Sequence, residues 1–265
     1  MDENIKDKYI KMLLNKSISM NDIEKNMEKH IPDKLYRYRS FNEHWKSDLF
    51  DGNIYLSKPS EFNDPFDGVP RIDIPEFWEK VGRRMLFKSS GIDLSLDGSI
   101  KEKKLIEQCI AEFTQDSMRV ACFSEKWDSL LMWAHYASSY KGFCIEYDTK
   151  KIPSNIRRFL LPVIYQSSIY DSTNDFTGRQ YNSFNFLFFK SLEWEYENEW
   201  RIAVYQKQVK REINFKDYIS EVILGVKCDD IYINEISKWA KDNKVALYKS
   251  KISYDEYAIQ KERII

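Results

Sequence analysis

The stretch Glu197-Asn198-Glu199-Trp200-Arg201-Ile202-Ala203-Val204-Tyr205 decides how this chain is read. From Glu199 onward, Trp200, Ile202 and Val204 alternate with Arg201, Ala203 and Tyr205, the period-two pattern of a strand with one buried face. Side chains at i and i+2 of a strand share a face roughly 6.5 to 7 Å apart. The pattern therefore predicts a strand over 197–205 with Glu197, Glu199 and Arg201 pointing one way and Trp200 and Ile202 in the core. Two carboxylates so placed repel, and a neighbouring arginine relieves the repulsion and keeps them ionised. Such a carboxylate suits stabilising a developing positive charge or orienting a hydroxyl. The same spacing also fits a solvated, salt-bridged strand face.

Outward from this stretch the second half alternates. Strands are expected at 119–124, 142–148, 159–165, 220–226 and 245–250, with helices at 128–139 and near 231–242. The first half starts with helical spacing of Ile5, Tyr9, Ile10 and Leu13 over residues 3–16. A second short helix starts at Asn21, where Asn21 and Glu24 stand as cap and N3 residue. Short strands follow at 35–39 and 53–57. The segment 57–68 (SKPSEFNDPFDG) reads as a structured loop, because its prolines, Asn-Asp pair and final glycine stop regular elements. Residues 75–89 and 101–118 read as helices around a Gly/Ser/Asp stretch, the second with an apolar stripe of Leu105, Ile106, Cys109, Ile110 and Phe113. Neither helix buries such a face alone, so 75–118 reads as a helical insertion and 1–31 as a helical N-terminal segment of one domain spanning 1–265. Unequal connections between strands favour a mixed α+β fold over a regular βαβ array.

Composition excludes several classes. Hydrophobic residues are 43% and charged residues 31%, ordinary for a globular chain, while aromatics reach 15%. No stretch approaches the roughly 18 apolar residues of a membrane helix. The N-terminus does not read as a secretion signal, so the cytoplasm is the default location and no membrane is expected as a partner. Net charge is −1, without the overall field that draws nucleic acid, although Lys207, Lys210 and Arg211 make a local basic cluster. Cys109, Cys122, Cys144 and Cys228 lie far apart in apolar contexts and read as buried reduced thiols. With only His30, His44 and His135, no metal-finger spacing can be written. The eight glycines never fall as G-x-G, and no G-K-[ST] or G-x-S-x-G is present.

Three further groups are candidates for chemistry. Arg37 and Arg39 project from one face of the LYRYR strand with Tyr36 and Tyr38 on the other, and an arginine fork suits phosphate or carboxylate; a cross-strand ion pair fits equally. Ser124 ends a strand with no base beside it, which favours a hydrogen-bonding role over a nucleophilic one. After it, Trp133, His135 and Tyr136 fall on a helix that can line a cleft, though His135 alone fits packing as well. Asn63 and Asp64 stand in the proline-fixed loop, where they contact a ligand or simply form the turn.

The blocks LYRYRS, IYLSKPSEFNDPFDG, CFSE, LMWAHYA, KGFCIEYD and WEYENEWRI resemble those of a large, poorly characterised bacterial family, from about Leu35 to Gly225. More distantly, their order is similar to that of the arginine–serine–glutamate class of ADP-ribosyltransferases. Leu35-Tyr36-Arg37 matches its LYR-type motif, Ser124 keeps one residue of its S-T-S, and Glu197-Asn198-Glu199 matches its late E-x-E. This resemblance implies a split two-sheet α+β domain with NAD, as substrate, in the cleft between the sheets. It implies that Arg37 binds a phosphate or ribose, and that Ser124 holds the catalytic carboxylate or the nicotinamide ribose. Glu199 would then hydrogen-bond the ribose 2′-hydroxyl and stabilise the oxocarbenium-like state, and Glu197 would position or deprotonate the acceptor. Arg39, Tyr55, Asn63, Tyr136 and Arg201 complete the implied NAD-binding set. The partner implied is a macromolecular acceptor, protein or nucleic acid, in an intracellular toxin or antiphage effector with an antitoxin or regulatory partner. A metal-dependent hydrolase or nuclease using the Glu cluster, and a non-catalytic ligand-binding module, remain open from the residues themselves.

Overall fold

The structure is a computed structural model that describes residues 3–15, 18–73, 75–77, 100–177, 184–206 and 211–265. Its strands are β1 (Lys34–Arg39), β2 (Asn53–Tyr55), β3 (Met118–Ser124), β4 (Phe143–Asp148), β5 (Leu160–Pro162), β6 (Ile164–Gln166), β7 (Phe189–Ser191), β8 (Glu199–Tyr205), β9 (Glu212–Asn214), β10 (Ile219–Leu224), β11 (Ala246–Ile252) and β12 (Ile259–Arg263). The longer helices are α1 (Glu3–Leu14), α2 (Met20–Glu28), α3 (Ile100–Ser117), α4 (Leu130–Tyr136) and α5 (Asp230–Asn243). Eight strands form one mixed sheet in the order β12-β11-β10-β4-β1-β3-β8-β5, antiparallel except where β10 runs parallel to β11. Two small ribbons, β2–β9 and parallel β6–β7, flank it. The fold is thus mixed α and β, as the unequal connections predict.

One face of the sheet is covered by a single aromatic-rich core. Leu35, Phe123, Ile145, Tyr147, Trp200, Ile202 and Val222 meet Ile236 and Trp239 of α5, together with Trp45 and Leu49. The other face carries two apolar clusters. Trp133 and Met132 of α4 cover Tyr36, Tyr38, Cys144 and Ile223 at β1–β4–β10. Tyr9, Leu13, Ile23 and Met27 of α1 and α2 cover Val120 and Leu161 with the 186–189 segment. Between these two clusters the face is polar, and there the candidate site lies.

The sheet also opens there. β1 pairs β4 along six residues but meets β3 only at Tyr36↔Ser124, and beyond that point β3 instead bridges Ser57 through Val120. A cleft of about 280 Å³ results, lined from both sides of the gap.

Several expectations shift. The strand expected over 197–205 begins at Glu199; Leu192–Glu197 is a 3₁₀ turn and Asn198 is left-handed (φ 45°, ψ 55°), a conformation asparagine tolerates. The 159–165 strand is two, β5 and β6, pairing different partners. The cap of α2 is Ser19, whose Oγ accepts from Asp22 N, and not Asn21, because the helix starts two residues earlier than the Asn21/Glu24 pattern suggests. Of the α3 stripe, Leu105, Cys109 and Phe113 are exposed, while Thr114 of the same helix is buried. Among the cysteines Cys144 and Cys228 are buried and Cys122 is half-buried, so Cys109 alone contradicts the expected burial. The side chains of Ile106 and Ile110, residues 78–99 of the expected helical insertion, and Lys207 and Lys210 lie outside the described residues.

Candidate active site

Glu199 and Arg201 leave β8 on the polar face, opposite Ser124 and Cys122 of β3. Both are buried, so the solvated strand face does not describe them, although the salt bridging does. Arg201 satisfies all five of its donors. Nε and Nη2 reach Glu199 Oε1 and Oε2 at 2.7 and 2.8 Å, Nη1 and Nη2 reach Asp67 Oδ1 and Oδ2 at 2.8 and 2.6 Å, and Nη1 also donates to Leu187 O at 2.6 Å. Such forked pairing is the arrangement in which arginine binds carboxylate most strongly. The Phe62 ring covers the guanidinium, 5.2 Å from its centroid. Arg201 therefore tunes the glutamates and has no donor left for a phosphate, one of the two roles open to it from sequence.

Glu197 arrives by a different route. The left-handed Asn198 turns the chain between the 3₁₀ turn and β8, and Ser124 Oγ donates to Glu197 O at 2.6 Å while accepting from Lys126 N. Ser124 thus holds the backbone that carries the carboxylate, in keeping with a hydrogen-bonding serine. The Glu197 carboxylate then takes Tyr136 Oη on Oε1 at 2.6 Å and Lys190 Nζ on Oε2 at 2.5 Å. Lys190 lies 3.4 Å from Glu199 Oε2 and 3.3 Å from Asp67 Oδ2, bridging all three acids. Glu199 and Arg201 share one face of β8 as their spacing predicts, whereas Glu197 lies off the strand and joins them through a turn and a shared lysine.

The electrostatics separate the two glutamates. For Glu197, burial and the nearby Glu199 charge outweigh Lys190 and Tyr136 and push its carboxyl up to about 6. Burial also pushes Glu199 up, but Arg201 and Lys190, with a hydrogen bond from Cys122, overcome it and hold that carboxyl well below the usual range. Burial opposes the charge of Lys190, yet the acids around it raise its pKa and keep it protonated.

The proline-fixed loop delivers two of the partners. Asp64 Oδ1 accepts from Phe66 N and tightens the turn, Asp67 grips Arg201, and Asn63 Nδ2 donates to Tyr136 Oη at 3.1 Å. Gly68 has φ +70°, and a Cβ there would stand 2.8 Å from Pro59 Cβ, so the loop requires glycine. Turn formation explains Asp64, whereas Asn63 does reach the site.

Other expected residues fall further off. Arg37 and Arg39 lie on the opposite sheet face from Glu199, with Leu35 and Phe123, and line the cleft only because β1 parts from β3. Arg39 is tied to Asp48 through Nε at 2.7 Å and through Nη2. Arg37 makes no ion pair among the described residues; its guanidinium lies 5.6 Å from the Phe123 centroid, and burial and the Arg39 charge lower its pKa. Tyr55 is not among the cleft residues and faces Glu61, at 3.4 Å. His135 is exposed and bonded to Tyr196 Oη, and Trp133 is core.

Sequence reasoning misses Asp67 and Lys190. A lysine inside the apolar run 185–192 (NFLFFKSL) is the signal for the second, since a charge in such a run is buried and paired or it is not buried at all. Among the described residues no group of three or more His, Cys, Asp or Glu is arranged to hold a metal ion, and no helix is long and apolar enough to cross a membrane.

Residues 132–202 match the profile of a family described as "Protein of unknown function (DUF2971)". The matched stretch runs from α4 with Tyr136 to Glu197, Glu199 and Arg201. No curated protein and no solved structure matches the chain.

Proposed function

We propose that the chain is an NAD-dependent ADP-ribosyltransferase that cleaves the bond between nicotinamide and ribose and passes ADP-ribose to a macromolecular acceptor. The observation that carries this reading is the unlike surroundings of two buried glutamates in one cleft: the Arg201 fork holds Glu199 as an anion, while Glu197 faces Tyr136 and Lys190 with the Glu199 charge beside it, which with burial raises its pKa. Neighbouring carboxylates driven apart in this way take different parts in acid–base and cationic chemistry. As the C–N bond breaks, its electron pair leaves with nicotinamide and positive character grows on the ribose. The fixed Glu199 anion stabilises that charge. Glu197 accepts the proton of the acceptor nucleophile as the new bond to ribose forms.

The supporting geometry is modest and specific. Motif order is Arg37, Ser124, Glu197-x-Glu199, and their strands β1, β3 and β8 are neighbours in the sheet. β1 and β3 belong to one eight-stranded sheet and not to the two expected, and the reading takes the gap where they part as the NAD cleft. Arg37, unpaired among the described residues, takes the pyrophosphate, and Asn63 and Tyr136 meet the ribose end. At about 280 Å³ the cleft is smaller than the roughly 300–1,000 Å³ of sites that enclose whole ligands. The nicotinamide riboside end enters, and the adenosine end lies at the mouth. By the type of enzyme, the chain acts inside the cell as a toxin or antiphage effector.

The test is incubation with labelled NAD and cell extract, using the wild type, Glu199→Gln and Glu197→Gln. The reading expects nicotinamide release and label transfer from the wild type and a loss of both in the Glu199→Gln variant. Absent release, absent transfer and undetectable NAD binding by the folded wild type would sink it.

A further inference from the structure

The turn between β11 and β12 reads Ser253-Tyr254-Asp255-Glu256-Tyr257-Ala258 and overhangs a cavity of about 670 Å³. The cavity is also lined by Leu130, the first residue of α4, and by Tyr140 and Lys227. Tyr254 and Tyr257 are 102% and 99% exposed, and Ile252 beside them is 61% exposed. Among the described residues neither tyrosine ring touches another ring, and neither the Asp255 nor the Glu256 carboxylate has an ion pair.

The surroundings show which charge is unmatched. Lys251 is paired with Glu262 and Lys261 with Glu221. Lys227 Nζ lies 5.7 Å from the Tyr140 centroid, and Lys261 Nζ lies 4.5 and 5.2 Å from those of Tyr248 and Trp127. This side of the molecule already holds its own cations over aromatic rings. At the tip Lys227 also lines the cavity but lies against Tyr140, and among the described residues no cation pairs with Asp255 or Glu256 or covers the rings of Tyr254 and Tyr257. Aromatic faces and carboxylates together bind ammonium and guanidinium groups, and exposed tyrosines are favoured anchors of protein interfaces.

We propose that this turn is a docking surface for a lysine- or arginine-bearing segment of a partner protein. A cationic side chain enters the cavity beside Tyr254 and Tyr257, with Asp255 and Glu256 as counter-charges. Nucleic acid is the disfavoured occupant, because the two carboxylates repel phosphate. The assignment is independent of the chemistry of the cleft.

The test selects a displayed random-peptide library on the full chain, then measures the selected peptides by fluorescence anisotropy. Expected are peptides rich in Lys and Arg whose affinity falls about tenfold or more on Tyr254→Ala/Tyr257→Ala and on Asp255→Lys/Glu256→Lys. These side chains are fully solvated, so both variants keep the wild-type melting temperature. Peptides without basic residues, or with equal affinity for wild type and variants, overturn the proposal. So does tyrosine-dependent binding of a labelled single-stranded oligonucleotide in place of the peptides.

Discussion

The phenol of Tyr136 donates a hydrogen bond to Glu197 Oε1 at 2.6 Å. Tyr136 stands at the end of α4 and Glu197 at the end of a 3₁₀ turn 61 residues later, so the contact joins the two ends of the site. It also lowers the pKa of a carboxyl that burial and Glu199 push up.

Removing that donor tests its part in the site. In Tyr136→Phe the carboxylate loses one hydrogen bond that favours its charged form, so the Glu197 pKa climbs above its present value. The acid limb of the rate profile for NAD cleavage moves to higher pH while the alkaline side stays in place. An unmoved limb counts against Glu197 as the base.

Glu197 gives a pH dependence of known sign in stability too. Its folded pKa of about 6 exceeds the ordinary 4.5, so between these values the folded state binds more protons than the unfolded one. Stability then falls as pH rises through that window, by about 2 kcal/mol from this group alone. Glu199, held low, acts oppositely: its stabilisation is present at neutral pH and is lost as pH drops below the usual carboxylate range. Denaturant unfolding of the wild type and Glu197→Gln across pH 4.5 to 7 measures the first effect, which the variant lacks.

Arg201→Met leaves Asp67 and Glu199 buried with only Lys190 to share. Breaking a buried ion pair from one side costs about 3–5 kcal/mol. The expected result is a large drop in the unfolding midpoint, partly restored by adding Asp67→Asn, which removes one of the two stranded charges.

Ser124→Ala removes the Oγ that Glu197 O and Lys126 N share. An unsatisfied buried carbonyl costs about 1–3 kcal/mol. Activity should fall and not vanish, since the hydroxyl positions a backbone. Complete loss of turnover in a folded variant would assign Ser124 a direct part in the reaction.

Thiol labelling separates the four cysteines. Cys109 is exposed on α3, while Cys144 and Cys228 are buried, and burial raises the pKa of the Cys122, Cys144 and Cys228 thiols. One thiol should react fast with an aromatic disulfide reagent in the native state, and Cys109→Ser should abolish that phase.

What the sequence alone determined is the local pattern. Trp200 and Ile202 alternate with Arg201 because a half-buried strand has a period of two, and that alternation places β8 without further information. The Pro/Asn/Asp/Gly content of 57–68 likewise marks a loop, since each of these residues restricts or frees the backbone locally. Tertiary structure decided everything that depends on distance. Glu197 joins Glu199 through a left-handed Asn198 and Lys190, partners no periodicity connects. Arg37 falls on the far face of the sheet, because strand parity sets its direction while only the parting of β1 from β3 brings it to the cleft. Asp67 and Lys190 entered the site for one reason: a buried cation needs its charges matched, and the chain meets that need with whichever acids the fold brings within reach.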